Sequence, residues 1–265
     1  MKLLIKYKTA FVNCCFNHLY PSYMLLLVLS VAPGLAIIWY IYMKDKYDRE
    51  PRKYLIISFL LGMASTIPAI VFEKLGTYIF GDIASLSPIS FIAFFAFVIV
   101  GVSEEGLKYL VVRFYAFPKK AFNEPFDGIV YSVMVAMGFA TLENIGYVQQ
   151  HGIATAILRM FLSVPAHASF GILMGYYIGL AKFNKQRSRI LLVKGLLLSI
   201  FFHGAFDFFL FLQDNLYVTQ KVSSALLLLG AILSFYIAVR LSIRSIKLHQ
   251  ELSRIDFENK NRKIK

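Results

Sequence analysis

Seven stretches of this sequence are each long and apolar enough to cross a lipid bilayer, and no other feature restricts the fold as severely. They run over approximately residues 22–43, 54–73, 89–117, 126–148, 153–181, 190–212 and 222–243. A hydrocarbon core needs about 20 apolar residues in a helix, and with no water there to satisfy peptide groups only helices or closed barrels can span it. None of the seven shows the period-2 alternation of a barrel strand. The predicted fold class is therefore all-α, a polytopic transmembrane helical bundle of seven spans. The count becomes eight if the fifth stretch is broken: Pro165 removes a backbone donor there and Arg159 lies deep within it.

Charge distribution assigns the rest of the chain. A formal charge of +13 could suggest nucleic acid. The Lys and Arg residues instead fall in short blocks between apolar runs, the pattern of membrane topology determinants, and a nucleic-acid role is rejected. The linkers "KDKYDREPRK", "RFYAFPKK" and "KFNKQRSR" hold five, three and four basic residues, and the segment from Arg240 onward holds eight. The alternate linkers 74–88, 149–152 and 213–221 hold one, none and one. The positive-inside rule places the basic set, and the C-terminus, in the cytoplasm; Lys2, Lys6 and Lys8 run against that orientation. Residues 1–21 are expected to form an interfacial segment, 22–243 the membrane domain, and 244–265 a basic, mixed-charge tail helix near the inner leaflet, read as a solvated end. The adjacent Cys14 and Cys15 offer neither a disulfide framework nor a metal-binding spacing.

Against this background four intramembrane acids stand out: Glu104, Glu105, Glu143 and Asp207. At roughly 2.5–3.5 kcal/mol per central charge, the set costs on the order of 10 kcal/mol unless compensated. Glu104 and Glu105 precede Lys108 by four and three residues, so all three can share a helix face and one carboxylate can be neutralised. The carboxylate left over, beside a trapped water, suits a general base. His203 and Asp207 are also four apart, a spacing at which both can ligate one metal or the acid can orient the imidazole. His167 sits among the small residues Ala166, Ala168 and Ser169, which permit close helix approach.

Each residue taken singly has a structural reading. Glu104, Glu105 and Lys108 could be an ion pair locking two helices, His167 an interhelical hydrogen bond, Glu143 a snorkelling end residue, and Arg159 a counter-ion. Three Glu, two His and one Asp on four consecutive spans exceed what packing needs, and they are the residue types of metal ligation and water activation.

The blocks "KYDREPRKYLIISFLLG" at 46–62, "EEGLKY" at 104–109, "EPFDGIVYSVMVAMGFATLENIGY" at 124–147, "VPAHASFGILMGYYIGLA" around His167 and "HGAFDFFLF" at 203–211 resemble, in order, the PrsW family of bacterial intramembrane proteases. That family is similar, more distantly, to the type II CAAX prenyl proteases and bacteriocin-immunity membrane proteins. Their Glu-Glu pair, Phe with a polar residue four later, and His with Asn or Asp four later match Glu104 with Glu105, Phe139 with Glu143, and His203 with Asp207. Glu143 stands where the prenyl proteases carry a His, a departure typical of the PrsW branch.

The resemblance implies a peptidase of the bacterial cytoplasmic membrane that cuts a single-pass membrane protein, with an anti-sigma factor as the family's best-known substrate. Two mechanisms stay open at this point. In one, Zn²⁺ is held by three of His167, His203, Asp207 and Glu143, with Glu104 as base. In the other no metal is needed, Glu activates water, and His203 stabilises the oxyanion. Glu104, Glu105, Lys108, His203 and Asp207 are the expected catalytic residues. A non-catalytic scaffold of the same superfamily and a proton-coupled transporter are the rival functions; the transporter would usually show repeated halves, which the sequence lacks.

Overall fold

A computed structural model describes the backbone of residues 2–80 and 88–264 and the side chains of residues 23–80 and 89–262. The expected interfacial segment 1–21 lies outside the residues whose side chains are described. The helices are α1 (Lys2–Lys44), α2 (Arg52–Phe80), α3 (Pro88–Phe94), α4 (Gly101–Val111), α5 (Asp127–His151), α6 (Ile153–Phe161), α7 (Ser163–Phe183), α8 (Ser188–Phe211), α9 (Leu216–Thr219) and α10 (Ser224–Ile264). Among the described residues seven helical stretches are long and apolar enough to cross a membrane, and they coincide with the seven sequence spans to within a few residues at most ends. Among the described residues there is no strand, as the all-α expectation requires.

The third span is helical throughout but not uniformly α. The π-helical segments Phe95–Val100 and Val112–Ala116 flank α4. Each adds residues per turn and so resets which side chains face inward, and such insertions recur at functional sites. Here they bracket the turn that carries Glu104, Glu105 and Lys108. The fifth span is broken near the proline, but the count stays at seven because the nine residues of α6 are too few to cross alone: α6 ends at Phe161, four residues before Pro165, and Leu162 leaves ideal geometry (φ −114°, ψ −68°) before α7 begins. A proline ring collides with the carbonyl four residues back and cannot donate to it.

α5 is the axis of the bundle. Every residue from Asp127 to Thr141 is buried, with α2, α7 and α1 packed around it. Close approach is made through glycine: a Cβ on Gly138 would lie 2.0 Å from the Phe59 carbonyl oxygen of α2, and one on Gly175 would lie 2.3 Å from the Gly128 carbonyl oxygen. Small residues serve this purpose because membrane helices associate by packing and gain nothing from burying apolar surface that lipid would cover equally well. The outer faces of α1, α2, α8 and α10 remain rich in exposed Leu, Ile and Phe, as lipid contact demands.

The C-terminal segment differs from a merely solvated tail. α10 continues unbroken through it, burying Ser245, Ile246, His249 and Ser253. Gln250 donates to the Lys44 carbonyl (2.7 Å), and the Phe126 amide donates to the Ser253 hydroxyl (3.3 Å). The tail therefore docks on the end of α1 and on the linker preceding α5.

Candidate active site

The intramembrane polar residues converge. Glu104, Glu105 and Lys108 come from α4, Glu143 from α5, His167 from α7, and His203 with Asp207 from α8. Glu104, Glu105, Lys108, His167 and His203 are all buried. The Lys108 ammonium lies at the centre, donating to Glu104 Oε2 (3.0 Å) and Glu105 Oε1 (2.8 Å) and standing 3.2 Å from His167 Nδ1. It also sits 4.0 Å from the centroid of the Phe139 ring, a cation–π contact that further offsets its desolvation. One ammonium between two carboxylates is how this helix tolerates the adjacent acids.

The two imidazoles are built alike. His203 Nδ1 lies 2.8 Å from Glu105 Oε1, and its Nε2 lies 3.2 Å from Asp207 Oδ2. His167 turns Nδ1 toward Lys108 and Nε2 toward Glu143 Oε2, at 3.0 Å. Each ring thus presents one nitrogen to the centre and leans the other on a carboxylate, the arrangement that fixes tautomer and ring orientation. The rings themselves meet edge to face, centroids 5.2 Å apart. Phe170 stacks on His203, at 5.1 Å.

Behind Glu143 stands a further layer. Arg159 Nη2 pairs with Glu143 Oε2 at 2.9 Å, and Arg159 Nε donates to the Asn144 carboxamide at 2.8 Å. Asn144 in turn donates to the Ser30 carbonyl, at 2.9 Å, tying the network to α1. The broken fifth span brings two groups to one carboxylate: α6 carries Arg159 and α7 carries His167, and both reach Glu143 Oε2.

A cavity of about 300 Å³ opens onto this constellation. Glu104, Glu143, His167, His203 and Asp207 line it, with Phe95, Phe170 and Phe206 among its apolar walls. Glu105 and Lys108 do not; they lie behind Glu104. Glu73 of α2 and Tyr147 of α5 also face the cavity, and sequence reasoning missed both. Glu73 was hidden at the last residue of the predicted second span, whereas α2 runs on to Phe80 and carries it inside.

The residues fit a metal ion. Glu104, Glu105, His167 and His203 each offer one donor atom within 4.8 Å of the others. Glu105 Oε2 is buried without a hydrogen-bond partner, an unspent ligand atom in a place where such atoms are costly. Two carboxylates and two imidazoles form a donor set suited to Zn²⁺. Glu143 and Asp207, expected among the ligands, stand one step back as partners of the imidazoles.

Buried Glu and His surround a cavity among seven apolar helices, and comparison with known proteins gives the class of the protein as a membrane-embedded peptidase. The family model described as PrsW family intramembrane metalloprotease matches residues 50–241. Protease PrsW of Geobacillus kaustophilus is 39% identical over 186 residues, covering 70% of this chain and 80% of the relative. Protease PrsW of Bacillus subtilis is 37% identical over 187 residues, covering 70% and 83%. Protease PrsW of Halalkalibacterium halodurans is 30% identical over 237 residues, covering 86% and 99%. No solved structure matches the chain. The chain belongs to the PrsW family of intramembrane metalloproteases, and is a multi-pass bacterial membrane protein with peptidase activity.

Proposed function

We propose that this peptidase cuts a single-pass membrane protein within or beside the bilayer, with Glu104 as the base that activates water. One observation carries the assignment: of the adjacent carboxylates only Glu104 lines the cavity, while Glu105 is enclosed by Lys108 and His203. Glu104 accepts a proton from water, the resulting hydroxide attacks the scissile carbonyl carbon, and the proton passes to the departing amine as the C–N bond breaks. Lys108 sets the charge of the carboxylate pair. Asp207 and Glu143 hold the His203 and His167 rings in register. Arg159 braces Glu143 from the far side. The Phe95, Phe170 and Phe206 walls exclude bulk water and strengthen these interactions.

Glu105, His167 and His203 are the residues that would hold Zn²⁺. An ion held there would supply Lewis acidity, making a water easier to deprotonate and a carbonyl easier to attack. A metal-free reading has its own support, because the Lys108 ammonium already supplies positive charge within hydrogen-bond distance of Glu104, Glu105 and His167.

The site lies toward the ends of α2, α5 and α8 and the start of α7, which is one side of the bundle. With the basic linkers in the cytoplasm, that side is the outer half of the membrane. A single-pass protein with a short external segment, such as an anti-sigma factor, has the geometry to reach it. The test is cleavage of such a substrate in liposomes by wild type, Glu104→Gln and His203→Ala, with and without chelator. Loss of cleavage in both variants supports the site; loss on chelation with recovery on Zn²⁺ supports the metal; cleavage by either variant at the wild-type rate overturns the assignment.

A further inference from the structure

A second group of buried carboxylates lies at the opposite end of the bundle. Asp45 closes α1, Glu124 belongs to the linker ahead of α5, and Asp127 is the first residue of α5. From Asp127 to Glu143 is 16 residues of one helix, roughly 24 Å at 1.5 Å per residue, so this group is remote from the active site. Asp45 and Asp127 are fully buried and Glu124 is 2% exposed. Each offers an oxygen within 4.8 Å of the others.

The hydrogen bonding of the two aspartates is half complete. Asp127 Oδ2 accepts from the Asn123 and Glu124 amides at 2.7 and 2.8 Å, which folds the linker around it. Asp45 Oδ2 accepts from the Glu50 amide at 3.3 Å. Asp45 Oδ1, Asp127 Oδ1 and Glu124 Oε1 are buried without any partner. Three such oxygens at one place are more than native interiors tolerate without a ligand. Among the described residues no cation forms an ion pair with these oxygens: Arg49 donates to the Asp45 carbonyl (3.2 Å), and Lys260 pairs with Asp256 while reaching the Asn123 carbonyl (3.4 Å). Glu50 adds a fourth carboxylate alongside, held by the Tyr131 hydroxyl.

We propose that Asp45, Glu124 and Asp127 bind one hard divalent cation, Ca²⁺ or Mg²⁺, which clamps the α1–α2 turn to the linker ahead of α5. The donors are oxygens only, without the imidazole or thiolate that Zn²⁺ prefers. Oxygens on opposite sides of Ca²⁺ are about 4.6–5.2 Å apart and those across Mg²⁺ about 4.0–4.2 Å. The 4.8 Å limit on this cluster admits either ion. Because α10 docks on the same linker through Ser253, the clamp joins three elements: α1, the linker and the C-terminal helix.

The experiment uses the full chain in detergent carrying Glu104→Gln and His203→Ala, which removes two of the four clustered active-site donors. Tb³⁺ reports binding through emission sensitised by Tyr131, and Ca²⁺ and Mg²⁺ are titrated against it; thermal unfolding is followed in parallel. The expected result is displacement of Tb³⁺ by at least one of the two ions, and an unfolding midpoint that rises with its concentration. The more effective competitor identifies the ion. Adding the isosteric Asp127→Asn and Glu124→Gln changes should weaken binding by about 10-fold or more. Absence of saturable Tb³⁺ emission, failure of both ions to displace it, or undiminished binding in the Asn/Gln variant overturns the proposal. The first two outcomes are read without the added substitutions, so they stand even if the Asn/Gln variant does not fold.

Discussion

Within the spans, Glu104 and Glu105 share the Lys108 ammonium, and Glu143 has Arg159. At the end of the bundle, Asp45, Glu124 and Asp127 are equally buried, yet Arg49 and Lys260 turn to backbone carbonyls near them. The two regions differ in where compensation comes from. Inside the membrane an unpaired charge costs so much that the chain must carry its own counter-ions. Near the surface, ions and protons can be recruited from water, and the sequence leaves them to be supplied. A buried carboxylate cluster with fixed cations can be held ready for chemistry; one without them is suited to a ligand that joins loops.

The largest effect expected is on catalysis. Glu104→Gln removes the base while keeping shape, and should lower cleavage by about 10²–10⁴-fold with little change in unfolding midpoint. Next comes Lys108→Met, which strands two buried carboxylates and should cost about 3–5 kcal/mol of stability as well as activity, read by thermal unfolding. If Lys108→Met were neutral, the ammonium would not be the compensating charge and the contrast between the regions would fail. Arg159→Ala leaves Glu143 and Asn144 each short of a partner, for about 1–3 kcal/mol. It should slow cleavage less than Glu104→Gln does.

The smallest effect sharpens the other side of the contrast. Burial raises the carboxyl of Asp45 to about 6, outweighing Arg49 and reinforced by Asp48. Burial likewise raises Glu50 to about 7, against its hydrogen bonds with Tyr131 and Asp127 and with added repulsion from Asp45 and Asp48. Glu124 rises to about 7 by burial and the charges of Asp45 and Asp48, opposed by Ser253 and Lys260. The folded chain then binds more protons than the unfolded chain between roughly pH 4 and 7, so these groups make stability fall as pH rises through that window. Saturating divalent cation should flatten the fall, measured as unfolding midpoint against pH with and without the ion.

Much of this was legible in the sequence. Seven spans could be counted because a bilayer fixes the minimum apolar length, and the break in the fifth could be placed because Pro165 forbids a regular helix four residues upstream. Glu104, Glu105, Lys108, Glu143, His167, His203 and Asp207 could be gathered because so many ionisable groups on four consecutive spans exceed what packing needs. What periodicity could not supply was orientation. That Glu104 faces the cavity and Glu105 does not, and that Glu143 and Asp207 back the imidazoles, follows from how α4, α5, α7 and α8 pack together, which no single stretch of sequence shows. Asp45, Glu124 and Asp127 were invisible for a different reason: acids in linkers and at the first turn of a span are ordinary, and it is the docking of α10 through Gln250 and Ser253 that helps enclose that end of the bundle.

The central claim, that the carboxylate facing the cavity is the base, is tested most directly by comparing single-turnover cleavage of one reconstituted single-pass substrate by wild type, Glu104→Gln and Glu105→Gln at equal folded concentration. The account predicts that Glu104→Gln loses the chemical step by about 10²-fold or more at unchanged substrate affinity. It also predicts that Glu105→Gln lowers the unfolding midpoint, through its lost pairing with Lys108 and His203. Cleavage by Glu104→Gln at the wild-type rate would contradict it.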